Sequence, residues 1–154
     1  MPEHPTGSIQ SGSIAEDLAR GGVDLQVTVV SPAKELFSGA AHWVTLPGIN
    51  GQFGIWPRHV AMVSAHGSGM LRVGLRDRTR LEFVVRGSFL SVADNVVTIL
   101  VDLAVTKDDV DVAAARQELE ETNAALAHPT DGFEFLRLLE VRDWCQARIK
   151  LAEA

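Results

Sequence analysis

The chain has little of what disulfide-linked, secreted or membrane-spanning proteins need. Its one cysteine, Cys145, cannot form an internal disulfide, which fits a reducing compartment. No apolar run approaches the roughly 20 residues that span a bilayer, so we expect no direct membrane insertion. Residues 1–22 also lack the apolar block of a secretory signal. The formal net charge of −6 argues against nucleic acid as a partner.

The usual sequence signatures of catalysis and cofactor binding are missing as well. The chain has no G-x-S-x-G nucleophile elbow, no G-x-x-x-x-G-K-[ST] phosphate loop and no H-E-x-x-H zinc motif. His59 and His66 are placed to approach one another across a turn, but zinc needs further ligands. We therefore expect no catalytic residue, no metal and no cofactor. Cys145 has no histidine near it in the sequence and is predicted to be a small buried apolar residue.

Composition and charge predict a globular chain divided into three segments. Hydrophobic residues make up 46% and charged residues 22% of the 154 residues, which is globular composition. Residues 1–22 are rich in glycine, serine and proline, and we expect a flexible tail there. Residues 23–105 are nearly balanced in charge, whereas residues 106–154 carry six basic and eleven acidic residues. This shift predicts a boundary between two folded domains near residue 105.

Short alternating segments predict that the first of these domains is built from β-strands. Leu25, Val27 and Val29 alternate with polar residues, which is the period of a half-buried strand. Further strands are predicted at residues 36–37, 42–46, 51–56, 60–65, 70–75, 80–86, 88–92 and 96–101. The last of them is apolar on both faces, which predicts a central strand, and residues 93–95 before it predict a compact hairpin loop. Short strands at this spacing favour a sandwich or a barrel.

The remaining residues predict two helices joined as a hairpin. The first is expected to start at Thr106, whose hydroxyl would cap the amide near Asp109, and to end at Pro129. Asp131 followed by Glu134 resembles a capping box and predicts a second helix that runs to about residue 152. The second helix has an apolar stripe of Phe135, Leu138, Val141, Cys145 and Ile149, widened by Leu139 and Trp144. Helices of this length are marginal alone, so the hairpin should dock on the sheet or on another protein.

The glycine-punctuated stretch from residue 46 to residue 73 carries a family resemblance. It reads L-P-G-x-x-G-x-F-G-I-x-P-x-H, then an apolar strand, then G-M-L-R-V. This order resembles the epsilon subunit of the F-type rotary ATP synthase, and the resemblance extends over about residues 24–152. It implies an α+β, mainly β fold, with an N-terminal antiparallel β-sandwich followed by a C-terminal α-helical hairpin. It also implies a non-catalytic rotor subunit, peripheral on the cytoplasmic face of the bacterial cell membrane, that links the gamma shaft to the ring of c-subunits.

The resemblance assigns residues to both of these contacts. It implies that Gln52, Phe53, Arg58 and His59 face the c-ring. Many relatives have glutamate where Gln52 stands and glycine where Arg58 stands, so we expect different electrostatics at this contact. For the gamma shaft, the positions that match are Ser31, Met62, Val63 and Ser64. Because alternate residues of a strand face opposite ways, at least one of Met62 and Val63 must belong to the sandwich core.

Some bacterial relatives bind ATP through a motif at the start of the first helix. Asp111 matches that motif, but Ala114 stands where it has arginine, and Arg116 comes two residues later. Two residues are more than half a helical turn, which argues against an ATP site formed by Asp111 and Arg116. The resemblance also makes the beta subunit a partner of the hairpin, which in relatives blocks ATP hydrolysis. The acidic charge of residues 106–154 predicts that this inhibition is weak, or that it depends on packing.

Two alternatives from other functional classes remain open at this stage. A small enzyme would use His59 with a neighbouring acid, and it would need a deep pocket with a base and an orienting partner. A free-standing adaptor would bind peptides along an edge of the sheet, and it would not capture a gamma subunit.

Overall fold

A computed structural model describes residues 23–48 and 51–154 of the chain. The tail predicted at residues 1–22 lies outside the described residues. The described part begins with eight strands: β1 (Leu25–Val30), β2 (Glu35–Ala41), β3 (Trp43–Gly48), β4 (Gly51–Ile55), β5 (Met62–His66), β6 (Gly69–Gly74), β7 (Arg80–Ala93) and β8 (Val96–Val105). A short 3₁₀ turn (Lys107–Asp109) and two helices follow, α1 (Val112–Leu126) and α2 (Gly132–Glu153). No helix in this part of the chain is long and apolar enough to cross a bilayer.

The strands form a β-sandwich whose layers are joined through β7. The order of hydrogen-bonded strands is β2-β1-β8-β7-β6-β3-β4, and β5 pairs with β7. Neighbouring strands are antiparallel except β1 and β8, which are parallel. The first half of β7 pairs with β6 and its second half with β5, while β8 runs along both halves. The mainly β sandwich followed by helices confirms the predicted fold class.

The prediction of two strands at residues 80–86 and 88–92 is wrong, because β7 is continuous. Phe83 and Val85 face the sandwich core before Gly87, whereas Leu90 and Val92 face it afterwards. Gly87 has a φ of +63°, which glycine adopts without the steric cost of a side chain. The strand therefore changes the face that it buries at this residue. That change interrupts the alternation of apolar and polar residues in the sequence, and the interruption predicts the end of a strand.

The sandwich core is apolar and draws on both layers. Its fully buried side chains include Leu25, Val44, Leu71, Leu90 and Ile99. The compact loop predicted at residues 93–95 is present, and its two residues with positive φ, Asp94 (+50°) and Asn95 (+63°), fit a type I′ hairpin turn.

β8 is central, as predicted, since it lies between β1 and β7. Only one of its apolar faces is buried, however. Val97, Ile99 and Val101 lie in the core, whereas Val96 and Leu100 are about half exposed, 51% and 49%.

The first helix begins later than the sequence predicts. Thr106 does not cap an amide: its hydroxyl donates to Asp109 Oδ2 over 3.0 Å, beside the 3₁₀ turn. Val110 then takes an extended conformation and packs against the apolar contact between helices and sheet, so long-range packing separates the turn from α1. The cap of α1 is Asp111, whose Oδ1 accepts from the backbone N–H of Ala114 over 3.0 Å.

The start of the second helix follows the prediction closely. Asp131 Oδ1 accepts from the backbone N–H of Glu134 over 2.8 Å. The Glu134 carboxylate reaches back to Thr130, accepting from its backbone N–H over 2.6 Å and from its hydroxyl. The Thr130 hydroxyl, and then its backbone N–H, lower the pKa of Glu134. The Asp131 bond satisfies an amide of the first helical turn, and the Glu134 bonds hold the residue before the cap.

The hairpin docks on the sandwich through α2. A second apolar cluster forms between α2 and the strands β6 and β7, and its buried members are Met70, Val84, Val141, Trp144, Cys145 and Leu151. Cys145 is fully buried, as predicted, and burial raises the pKa of its thiol. The predicted stripe is wrong at Phe135, which is 41% exposed, because α2 meets the sheet along its later turns.

Arg148 joins the two helices beneath this contact. Its guanidinium lies 4.9 Å from the centre of the Trp144 ring and pairs with Glu118 of α1. The Arg148 side chain is only 13% exposed, so solvent screens this pair less than a surface ion pair. The predicted antiparallel hairpin is thus present, with α2 lying on the sandwich.

Candidate interaction surfaces

One face of the sandwich exposes a row of apolar side chains. Ala65, Phe89, Leu100 and Val30 stand opposite one another on β5, β7, β8 and β1, so they form a row across four strands. We call the surface formed by Val30, Val63, Ala65, Phe89, Val96 and Leu100 the outer sheet face. Val63 is 67% exposed and Phe89 43% exposed. Apolar side chains gathered this closely on one exposed face indicate an interaction site.

A groove of about 610 Å³ runs beside this row. It is lined by residues of the outer sheet face and by Ser31 and Pro32 of the β1–β2 turn. The Ser31 hydroxyl accepts from the backbone N–H of Lys34 over 3.3 Å and lies 3.2 Å from the Lys34 carbonyl oxygen. Ser31 therefore shapes the turn at the border of the groove.

The residues expected to contact the gamma shaft divide between two sides of β5. Val63 points outward, whereas Met62 packs against the sandwich core. Ser64, two residues after Met62, is half-buried on the same side. The structure thus places Ser31 and Val63 at the outer sheet face and turns Met62 and Ser64 inward.

Phe89 and Leu100 were not identified as site residues from the sequence. For Leu100 the available signal is the apolar character of residues 96–101 on both faces, which predicts a central strand. An exposed apolar face produces the same pattern.

The second surface is formed by the glycine-rich strands β3 and β4, which we call the glycine hairpin (residues 43–48 and 51–55). Gln52 is exposed on β4. Its neighbour Phe53 contacts two histidine rings, 6.0 Å from His59 and 5.2 Å from His66 by ring centres. These are the two histidines considered for zinc. No group of three or more metal-binding side chains occurs in residues 23–48 and 51–154.

Arg58 is anchored away from Phe53 and His59. Its backbone N–H donates to Asn95 Oδ1 over 2.6 Å, which ties it to the turn between β7 and β8. Arg58 has a φ of +68°, a conformation that glycine adopts more readily. Of the four residues expected to face the c-ring, the structure brings Phe53 and His59 into contact.

His59 has no catalytic arrangement around it. Its Nδ1 lies 2.8 Å from the carbonyl oxygen of Val60, and its ring meets Phe53 edge-on. Within the described part of the chain, no acid forms a hydrogen bond or ion pair with His59. The enzyme alternative requires such a partner.

Asp111 and Arg116, the residues of the ATP motif, are engaged within the helical hairpin. Asp111 caps α1, as described above, and Arg116 pairs with Glu153 near the end of α2. The ion pair directs Arg116 toward α2. Both side chains therefore have structural partners.

Comparison with known proteins identifies the class of the sandwich. Residues 24–107 match the family described as "ATP synthase, Delta/Epsilon chain, beta-sandwich domain". An ATP synthase epsilon chain of Janthinobacterium is 34% identical over 131 residues, covering 84% of this chain and 87% of the relative. The chain therefore belongs to the family of ATP synthase epsilon chains.

Two solved assemblies contain chains with the same fold. A chain in the Euglena gracilis mitochondrial ATP synthase (OSCP/F1/c-ring) aligns with a TM-score of 0.74 at 19% identity, covering 99% of this chain and 91% of that one. A chain in the central stalk and c-ring of the Tetrahymena thermophila mitochondrial ATP synthase aligns with a TM-score of 0.51 at 15% identity, covering 84% and 93%.

Proposed function

We propose that this chain is a non-catalytic rotor subunit of the ATP synthase that links the gamma shaft to the c-ring. Membership of the epsilon family supports the rotor role. The observation that carries the proposal is the outer sheet face, because a monomer rarely leaves Val63, Phe89 and Leu100 together in solvent.

The gamma subunit is the proposed partner of the outer sheet face. A permanent interface is more apolar than ordinary surface, and the row from Ala65 to Val30 supplies such a contact across four strands. The groove bordered by Ser31 and Pro32 would receive a side chain of the shaft. Met62 and Ser64 would support this surface from behind, since they face inward.

The c-ring is the proposed partner of the glycine hairpin. Gln52 is exposed and offers an amide, which donates and accepts hydrogen bonds without charge. Phe53 and His59 pack together beside it, and Arg58 adds a positive charge from the following turn. The contact would therefore be polar, and it would lack the carboxylate that many relatives place at the Gln52 position.

The docked helical hairpin is the proposed regulatory part, with the beta subunit as its partner. Residues 106–154 carry more acidic than basic residues, which favours weak inhibition of ATP hydrolysis by the hairpin. We propose that the assembly lies on the cytoplasmic face of a bacterial membrane, because the Janthinobacterium relative, which covers 84% of this chain, is bacterial. The adaptor alternative is not favoured, because the relatives are epsilon chains and the matching structures are ATP synthase assemblies.

Capture of purified gamma subunit by the full chain tests the proposal. Val63→Asp introduces a charge into the outer sheet face and should weaken capture by at least about tenfold, the effect of losing one well-buried interface side chain. Leu136→Asp is a matched control, because Leu136 is 64% exposed but lies on α2. Unchanged capture by Val63→Asp, or no capture by the wild-type chain, would refute the gamma interface.

A further inference from the structure

We infer that His66 is a positioning residue that fixes the glycine hairpin to β5, the strand that presents Val63. This inference rests on the proposed function, in which the glycine hairpin meets the c-ring and the outer sheet face meets the shaft. His66 is the last residue of β5. Its Nδ1 lies 2.9 Å from the carbonyl oxygen of Pro47 in β3, so the contact joins strands that are 19 residues apart in sequence.

This hydrogen bond joins strands that share no backbone ladder. β5 pairs with β7, whereas β3 pairs with β4 and β6. Through backbone pairing alone, a load passing from β5 to β4 must cross β7, β6 and β3. The His66 side chain bypasses these intervening strands.

The outer end of the glycine hairpin needs such support. The ladder between β3 and β6 ends at Thr45, so Leu46, Pro47 and Gly48 pair with β4 alone. Side-chain contacts, such as the burial of Leu46 in the sandwich core, are then what hold this end to the other strands. His66 contacts both strands at this end, because it bonds to the Pro47 carbonyl and packs on the Phe53 ring.

The imidazole ring of His66 makes two different contributions, a hydrogen bond to Pro47 and a packing contact with Phe53. A carbonyl oxygen only accepts, so Nδ1 of His66 must carry the proton. The other nitrogen, Nε2, is buried and has no hydrogen-bond partner in the described part of the chain. The ring therefore acts as one directed donor with an aromatic surface. A cavity of about 280 Å³, lined by His66, Pro47 and Ser68 among others, leaves room for substitutions.

Two substitutions test the hydrogen-bond donor and the aromatic ring of His66 separately. His66→Phe keeps the ring against Phe53 and removes the donor, whereas His66→Asn keeps a donor near the Nδ1 position and removes the ring. His59→Phe is a matched control, because His59 also packs on Phe53 but its Nδ1 contacts the carbonyl of the adjacent Val60. His59 therefore joins no separate strands through a hydrogen bond.

Amide hydrogen exchange of the isolated full chain measures the effect on the glycine hairpin. His66→Phe should accelerate exchange by about five- to tenfold at the one of the adjacent Gln52 and Phe53 amides that bonds to β3, the loss expected for one hydrogen bond. His66→Asn should accelerate it less, His59→Phe should leave it unchanged, and amides of β1 and β2 should not respond to any of them. Imidazole nitrogen NMR should show a proton at Nδ1 of His66. Exchange at Gln52 and Phe53 that does not respond to His66→Phe would overturn the inference.

Binding measurements distinguish a failure of the His66 inference from a failure of the proposed function. His66→Phe should weaken binding of the full chain to purified c-ring more than it weakens capture of gamma, since His66 also lines the groove beside the outer sheet face. If the wild-type chain binds neither partner, the proposed function fails. If the wild-type chain binds both and His66→Phe binds the c-ring equally well, the positioning role of His66 fails and the proposed function stands.

Discussion

Replacing Trp144 with alanine should release the helical hairpin while leaving the sandwich folded. Trp144 is 5% exposed and packs with Met70, Val84 and Cys145 in the cluster between α2 and the sheet. The sandwich core is a separate cluster that contains no residue of either helix. Loss of Trp144 should therefore act mainly on docking.

The size of the effect follows from the buried ring. Truncating a buried tryptophan to alanine costs about 3–5 kcal/mol, and this figure includes the cavity that is left. Trp144→Ala also removes the aromatic partner of Arg148. Since 1.4 kcal/mol corresponds to a factor of ten, amide exchange in α2 should accelerate by about two to three and a half orders of magnitude. The acceleration stops growing once the hairpin is fully undocked.

Hydrogen exchange resolved along the chain is the assay. Phe133→Ala is the matched control, because Phe133 is an aromatic residue on the same helix that is 88% exposed. It should change exchange by less than about threefold, as expected for a surface substitution of no more than about 0.5 kcal/mol. Amides of Leu90 and Ile99 in the sandwich core should keep their protection in Trp144→Ala. If they lose as much protection as α2, the hairpin and sandwich unfold as one unit and the reasoning is refuted.

Three further predictions concern the helical hairpin. Asp111→Ala should cost about 1 kcal/mol of helix stability through loss of the α1 cap, measured by urea denaturation, and should leave ATP binding unchanged. The pKa of Glu134 is lowered, so its bonds to Thr130 stabilise α2 above the ordinary glutamate pKa of about 4.3 and are lost as the pH falls below it. Amide protection factors at the start of α2, which are corrected for the pH dependence of intrinsic exchange, should therefore fall on acidification, and less so in Glu134→Gln. Deleting residues 106–154 should raise ATP hydrolysis by the reassembled enzyme only slightly, and a large rise would contradict weak inhibition.

Local sequence patterns predicted most of the elements because their causes are local. Alternating side chains marked β1, and residues 93–95 marked the β7–β8 turn. Pro129 and the Asp131 cap marked the break between the helices. Each of these signals depends on residues within a few positions of one another.

The remaining features depend on contacts between distant residues. Gly87 allows β7 to change the face that it buries. The alternation of side chains alone predicts a break between two strands at this point. Val110 is extended because it packs against the helix contact, so α1 starts after Asp111. Phe135 fits the helical period but lies beyond the part of α2 that meets the sheet.

The candidate surfaces could be predicted only in part, because they too depend on contacts between residues that are distant in sequence. The glycine hairpin was marked by its glycines and prolines, and Val63 and Ser31 by the family resemblance. Phe89 and Leu100 became part of a surface only when strand pairing placed them in one row.

Exchange footprinting of the full chain with each partner tests the bridging role most directly. Added gamma subunit should slow amide exchange in β5 and the second half of β7, and added c-ring should slow it at Gln52 and Phe53 in the glycine hairpin. Two separate footprints on one chain are the predicted result. A single shared footprint, or protection by gamma that spares β5 and β7, would contradict a subunit that joins shaft to ring through two separate surfaces.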